Sequence, residues 1–251
     1  MRRFNQIQTI TLANPGMNMD GAYWVQTALM HLHYAEGQRK ISWNIGLTSK
    51  AMQMAPNINM PDSGVLLNTM AFETAETIPK GRFIEPRIEA EITLIMKHDL
   101  QGANVSRSDV IVATDYITPS LKILDTRIIR LDPKTGRTRM VLDTISNNAA
   151  NAGIVLSSER HQLDAVNPRW VGLIVARNGA LEETGLGAGV LNDPVKSVCW
   201  LARRMDHYGD KISPEDLVLS GSFTRPIKAE PSSHFHADFG SFGVVEVTFA
   251  Q

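Results

Sequence analysis

The chain has 251 residues, 43% hydrophobic and 20% charged, with a formal net charge of −1, so it can bury a substantial core yet carries no global basic field. That balance lacks the electrostatic footprint of a nucleic-acid or anionic-membrane partner, leaving small molecules and other protein subunits. A single cysteine, Cys199, excludes an intrachain disulfide and a cysteine-built zinc cage, and no apolar run approaches the ~20 residues that span a bilayer, so a reducing, cytoplasmic setting is expected.

In chain order, residues 1–19 read as an N-terminal arm, loosely held over its first dozen residues, followed by one domain over 20–251. Asp20 can cap a helix over Gly21 to Glu36, with Trp24, Leu29, Leu32 and Ala35 suggesting an apolar face and Gly37 the stop. A strand from Ile88 to Met96 alternates so that Glu89 and Glu91 share one face while Ile88, Ala90 and Ile92 share the other. Two carboxylates at that spacing either bind a hard divalent cation or form a solvated face.

Asn147 to Gly153 is dense in amides and small residues. It is either a cradle whose backbone N–H groups approach an anion or an Asn-rich turn. A strand is expected from Trp170 to Ala176. Gly185 to Gly189 lacks the strand-to-helix context and Lys-Ser/Thr ending of a phosphate loop, which rejects that role. Asn192-Asp193-Pro194 opens a second helix, with Val198, Leu201 and Met205 as its packing residues and an end near Gly209. Strands are expected at Leu217 to Leu219 and Val244 to Phe249. Between them, Gly221 to Pro226 is a site-lining loop or a strand-ending turn. His234 and His236 share a strand face, but no third ligand sits at a telling spacing, which favours a hydrogen-bonded pair over a metal site. The class is α+β, rich in strands.

These segments occur in an informative order. Ile45-Gly46-Leu47-Thr48-Ser49-Lys50, Pro86-Arg87-Ile88-Glu89-Ala90-Glu91, Asn148-Ala149-Ala150-Asn151-Ala152-Gly153, Glu182-Glu183-Thr184-Gly185, Gly221-Ser222-Phe223-Thr224-Arg225-Pro226 and Phe235-His236-Ala237-Asp238 together resemble the 2-oxohept-4-ene-1,7-dioate hydratase, 2-hydroxypentadienoate hydratase and 4-oxalocrotonate decarboxylase family of the fumarylacetoacetate hydrolase-like superfamily. The resemblance runs from about Asp20 to Phe249. It implies a mixed β-roll with flanking helices, a homo-oligomer, and Mg²⁺- or Mn²⁺-assisted lyase chemistry on 2-hydroxydienoates and their 2-oxo tautomers.

Departures from the family pattern fall on its polar positions. Glu89 and Glu91 match two of three metal-binding glutamates, but the third position is Lys122. The lysine usually preceding Ile45-Gly46-Leu47-Thr48-Ser49 is Asn44, although its associated Asp62 remains. The Asp usually preceding the Asn-Ala-Ala-Asn-Ala-Gly loop is Asn147, and the acidic pair after Val65-Leu66-Leu67 is Asn68 and Thr69. With the apolar strands intact, this pattern favours a repurposed site over decay.

The expectation is a metal-independent lyase, isomerase or cyclase acting on an enolisable or polyene carbonyl compound, with no cofactor. Lys122 would polarise a carbonyl. Glu89, Glu91 or Asp62 would act as base, and Asn44, Asn147, Asn148, Asn151 and Ser222 would orient the substrate. A Schiff base at Lys122 is disfavoured because pairing with Glu89 or Glu91 keeps the amine protonated. The alternatives are a conventional Mg-dependent hydratase, with Mg²⁺ or Mn²⁺ at Glu89 and Glu91, and a non-catalytic homologue. Glu89, Glu91, Lys122, Asp62 and the Asn147 to Gly153 loop are expected to line one pocket.

Overall fold

The computed structural model describes residues 5–49, 53 and 60–251. Lys50 of the Ile45 to Lys50 motif and residues 1–4 of the arm lie outside that set. Two sheets organise the chain. The larger contains β1 (Lys40–Gly46), β2 (Asp62–Leu67), β3 (Ala71–Glu73), β5 (Pro86–Met96), β6 (Thr114–Asp125), β7 (Asn151–Leu156) and β10 (Leu217–Ser222), in the spatial order β2-β1-β10-β5-β6-β7-β3. A short β11 (Ile227–Lys228) also pairs with β5. The smaller sheet places β4 (Thr77–Ile78), β13 (Val244–Phe249), β12 (His234–Asp238), β8 (Gly172–Arg177) and β9 (Ala180–Leu186) in that order. Among the described residues, the helices with defined bounds are α1 (Ile10–Ala13), α2 (Met19–Ala35), α3 (Arg107–Ala113), α4 (Val141–Ser146) and α5 (Pro194–His207). The mixed sheets with flanking helices match the expected α+β class, and all four expected strands form.

β5 occupies the centre of the larger sheet, and its alternation is realised. Ile88, Ala90 and Ile92 enter the main core, while Glu89 and Glu91 point to the other face and are buried as well. A strand covered on both faces normally reads as a continuous apolar run, so the two glutamates are an exception that demands a partner. A second apolar cluster, built from Met30, Leu66, Leu67, Ile154 and Leu219, packs beneath α2.

Helix α5 follows the sequence reading: Asp193 accepts from Val195 N at 3.0 Å, Pro194 sits in the first turn, and Val198, Leu201 and Met205 are buried. Helix α2 departs from it. Its cap is Asn18, which accepts from Gly21 N, and not Asp20. Its buried side carries Ala22, Gln26 and Met30, leaving Trp24 74% and Leu32 68% exposed. The physical reason is Gln26, whose amide donates to Ser63 O and Ile145 O, both at 3.0 Å. A polar residue thus holds the inward face because two strand and helix carbonyls satisfy it.

The described part of the arm is also more firmly held than expected. Gln6 donates to Glu85 and to Thr126 O, Ile7 bridges to Ile128, and Thr11 gives both its N–H and its hydroxyl to the Asp143 carboxylate at 2.8 Å.

Candidate active site

The β5–β6 register sets Glu89 opposite Lys122 and Glu91 opposite Ser120. From there the Lys122 ammonium reaches Glu89 Oε2 at 2.7 Å and Glu91 Oε1 at 2.8 Å, and it donates to Asn44 Oδ1 on β1 at 3.0 Å. Three ammonium hydrogens meet three acceptors, and Lys122 is only 2% exposed. Burial alone would lower the lysine pKa, but the two adjacent carboxylates outweigh it and hold the pKa above its ordinary value. Lys122 is therefore a fixed cation with no free pair of electrons for a Schiff base. It also has no hydrogen left for a substrate carbonyl unless an acceptor withdraws, and Asn44, the neutral and most distant of the three, is the one most readily replaced.

Burial raises the Glu91 pKa, with Lys122 opposing and Glu89 adding to the rise. Its other oxygen accepts from Gly221 N at 2.8 Å. Gly221 has φ 117°, and a side chain there would meet the Thr48 hydroxyl, so glycine permits both the turn and the approach. Asp62, on β2 beside β1, is also buried. Its carboxyl is pushed up to about 6, first by desolvation, with Lys122 opposing and Glu89 adding.

Around these charges lie buried polar atoms with no hydrogen-bond partner among the described residues: Asn44 Nδ2, Thr48 Oγ1, Asp62 Oδ1, both side-chain heteroatoms of Asn151, and Ser220 Oγ. Their elements are contiguous. Asn44 is in register with Gly64 and Leu219, Gly64 lies against Asn151, and Gly221, next to Ser220, lies against Thr48. Native interiors leave few such groups unsatisfied, so this cluster calls for bound water or a polar ligand.

The other expected site residues have different work. Asn148 accepts from Val65 N and donates to Val65 O, mimicking a strand neighbour. Ser222 donates to Thr224 O and accepts from Thr224 N, closing its own turn. Asn147 turns to Arg127, whose Nε donates to Asn147 Oδ1 at 2.9 Å, and it lines a cavity of about 500 Å³ that Lys122, Glu89 and Glu91 do not border. The expected single pocket is thus divided, because the amide-rich turn has two sides. His234 and His236 are hydrogen-bonded to Thr248 and Glu246 on the neighbouring β13.

Thr48 and Ser220 were not singled out in the sequence, although Thr48 stands inside the Ile45 to Lys50 motif. Ser220 extends the Leu217 to Leu219 strand and gives no local signal.

The two mixed sheets with flanking helices define a fumarylacetoacetate hydrolase-like fold. The chain belongs to the 2-hydroxydienoate hydratase and decarboxylase family of that fold: it is 43% identical over 244 residues to the 2-oxo-hept-4-ene-1,7-dioate hydratase of Escherichia coli, covering 97% of this chain and 91% of that one. It is 32% identical to a 2-keto-4-pentenoate hydratase of Paraburkholderia xenovorans (strain LB400), over 94% and 85% of the two chains. Among solved structures it is similar to the 4-oxalocrotonate decarboxylase from Pseudomonas putida G7 complexed with magnesium and adipate, with a TM-score of 0.91, 26% identity, and 98% and 91% coverage. Fumarylpyruvate hydrolase from Pseudomonas aeruginosa shares the fold, with a TM-score of 0.62 and 12% identity. No family model matches the chain.

A divalent cation of the kind in that decarboxylase does not fit the residues present. Glu89 and Glu91 already close on the Lys122 ammonium, and a cation bound between them would have to expel a buried positive charge. Among the described residues, no group of three His, Cys, Asp or Glu side chains is arranged to hold a metal.

Proposed function

We propose that this protein is a lyase-type enzyme on a small enolisable 2-oxo acid or its 2-hydroxydienoate tautomer, and that its centre uses Lys122 where relatives use a metal. The observation that carries the reading is the buried ammonium between Glu89 and Glu91, set beside a ring of unsatisfied polar groups and one carboxyl, Asp62, poised near neutrality. The Asp62 carboxylate removes a proton from the carbon next to the substrate carbonyl. Electrons then move onto the carbonyl oxygen, which accepts from Asn44 Nδ2 and the Thr48 or Ser220 hydroxyl. Asp62, now protonated, returns the proton to the far end of the conjugated system. Isomerisation ends there; in hydration a water oxygen then bonds to the β-carbon of the resulting conjugated carbonyl as the water proton passes to Asp62, the electrons return to the carbonyl oxygen, and Asp62 gives that proton to the carbon next to the carbonyl. Lys122 offsets part of the negative charge of Glu89 and Glu91 without leaving its three acceptors, so an enolate beside them is less disfavoured than it would be next to two unpaired carboxylates.

The test is proton–deuterium exchange at C3 of 2-oxopent-4-enoate in D₂O with chelator present, followed by NMR together with water addition. Exchange that persists in chelator and is lost in Asp62→Asn supports the reading, whereas a protein inert to such acids in every condition sinks it. A second reading, a conventional Mg-dependent hydratase, is favoured by the 43% identity to a hydratase along nearly the whole chain. Under it, activity appears on adding Mg²⁺ and stops on chelation. A non-catalytic homologue would bind the acid without exchange. We also propose a cytoplasmic homo-oligomer with no nucleic-acid or membrane partner. No helix among the described residues is long and apolar enough to cross a membrane.

A further inference from the structure

We propose that the cavity behind the Asn147 turn is a second small-molecule site, for an apolar monocarboxylate received by Arg127 and Asn147. The cavity, about 500 Å³, is of ligand size; Ile7, Ile10, Leu29, Met70 and Phe83 give it apolar walls. Arg127 lines it and is paired only with neutral acceptors: Nε with Asn147 Oδ1 at 2.9 Å, and Nη2 with Asn147 O at 3.2 Å and Asn151 O at 2.7 Å. No carboxylate lies within ion-pair distance of its guanidinium among the described residues, and its Nη1 makes no hydrogen bond there.

Asn147 supplies the second, independent observation. Its Oδ1 is fixed by the Arg127 donor, so the other amide atom is Nδ2, and this Nδ2 is buried with no acceptor, in a residue 8% exposed. Two donors that lack acceptors among the described residues, one of them cationic, therefore belong to residues that line the same apolar cavity. A carboxylate satisfies both, while its hydrocarbon portion occupies the walls.

The other charged groups at the cavity agree with an anion. Arg82 stands at the exposed rim and donates to Thr69 O. Asp125 is the one carboxylate, and its Oδ1 is already held by the N–H groups of Ile84 and Glu85. Burial lowers the Arg127 pKa, with the nearby Asp125 carboxylate opposing that shift. The cavity does not touch Lys122, Glu89 or Glu91, so it is a place apart from the centre described above.

Sodium octanoate is the probe, titrated calorimetrically into the full chain and followed by NMR of its ¹³C-labelled carboxyl carbon, with octan-1-ol as the uncharged control. Octanoate is expected to bind once per chain, at least tenfold more tightly than octanol, with a shifted carboxyl resonance. Asn147→Asp keeps the side-chain shape but installs an internal carboxylate against Arg127. It should weaken octanoate at least tenfold while leaving octanol unchanged. Arg127→Met should abolish the preference for the acid; if it does not fold, the Asn147→Asp comparison still decides. Equal affinity for octanol and octanoate, unchanged octanoate binding in Asn147→Asp, or no binding at millimolar concentration would overturn the proposal.

Discussion

Lys122 turns two buried carboxylates from a liability into a centre, and its removal exposes that dependence. Lys122→Met retains most of the volume but leaves Glu89 and Glu91 facing each other unpaired, and breaking a buried pair in this way costs about 3–5 kcal/mol. The loss should be greatest at alkaline pH and shrink as acid protonates the glutamates, read as melting temperature against pH. Lys122→Glu instead supplies a third carboxylate. Calorimetry should then detect Mg²⁺ binding that the unmodified protein lacks, and micromolar Mg²⁺ affinity in the unmodified protein would refute the internal-cation reading.

Asp62 has the opposite sign from an ordinary salt-bridged Asp. Because its folded pKa, about 6, lies above the ordinary aspartate value of 3.8, the folded state holds the proton more tightly. The stability it contributes is full below the unfolded value and is lost as pH rises through about 6. For a group buried this deeply, a shift of that size corresponds to roughly 3 kcal/mol. Asp62→Asn should therefore flatten the fall in stability between pH 4 and 7; an unchanged pH profile would show that Asp62 is not the group responsible. The alternation of Glu89 and Glu91 was legible because a strand's period is local. The partnership of Asn147 with Arg127 was not, since it depends on how two chain segments pack, which neither segment encodes by itself.

At the scale of elements, the four expected strands and α5 were readable from turn residues, Pro placement and alternation. The inward face of α2 was not. Its sequence offers large apolar groups, Trp24 and Leu32, that the fold leaves outside, and the face that packs is selected by the Ser63 and Ile145 carbonyls waiting for Gln26. Period alone finds a helix; partners from distant segments orient it. The turn over Asn148, Ala149 and Ala150 is a similar case. All three residues have positive φ, with values of 55°, 51° and 57°, a conformation that propensity disfavours for alanine. It is held because Asn148 hydrogen-bonds both backbone groups of Val65, and because β2 carries Gly64, where a side-chain carbon would lie 2.5 Å from Asn151 Nδ2 and 2.8 Å from Asn148 O. Gly64→Ala is expected to destabilise the protein by about 1–3 kcal/mol through overpacking. Chemical denaturation measures it, and a change under half a kcal/mol, small beside the usual effect of core strain, would mean the turn yields without resistance.

For the whole molecule, the larger sheet holds the charged centre while the smaller one ends on an open edge. β9 is that edge: Leu181 is 65% exposed, and Ile174 on the adjoining β8 is 51% exposed. Trp170, just before β8, adds a further exposed aromatic. An uncovered apolar edge invites pairing with another chain unless something occupies it, and a second copy of this protein is the occupant proposed here. Closed symmetry would let one subunit's edge region cover another's and remove the free surface from both. Sedimentation at micromolar concentration should thus give a mass above that of one chain. Leu181→Lys places a charge in the middle of the edge without touching Lys122, Asp62 or Arg127, and it should shift the distribution towards the monomer while leaving the cooperative melt of the isolated subunit intact. A fully soluble monomer of the unmodified protein with a single transition would contradict the assembly. An assembly indifferent to Leu181→Lys would place its interface on another face, with α2, where Trp24 and Leu32 are exposed, as the next surface to substitute.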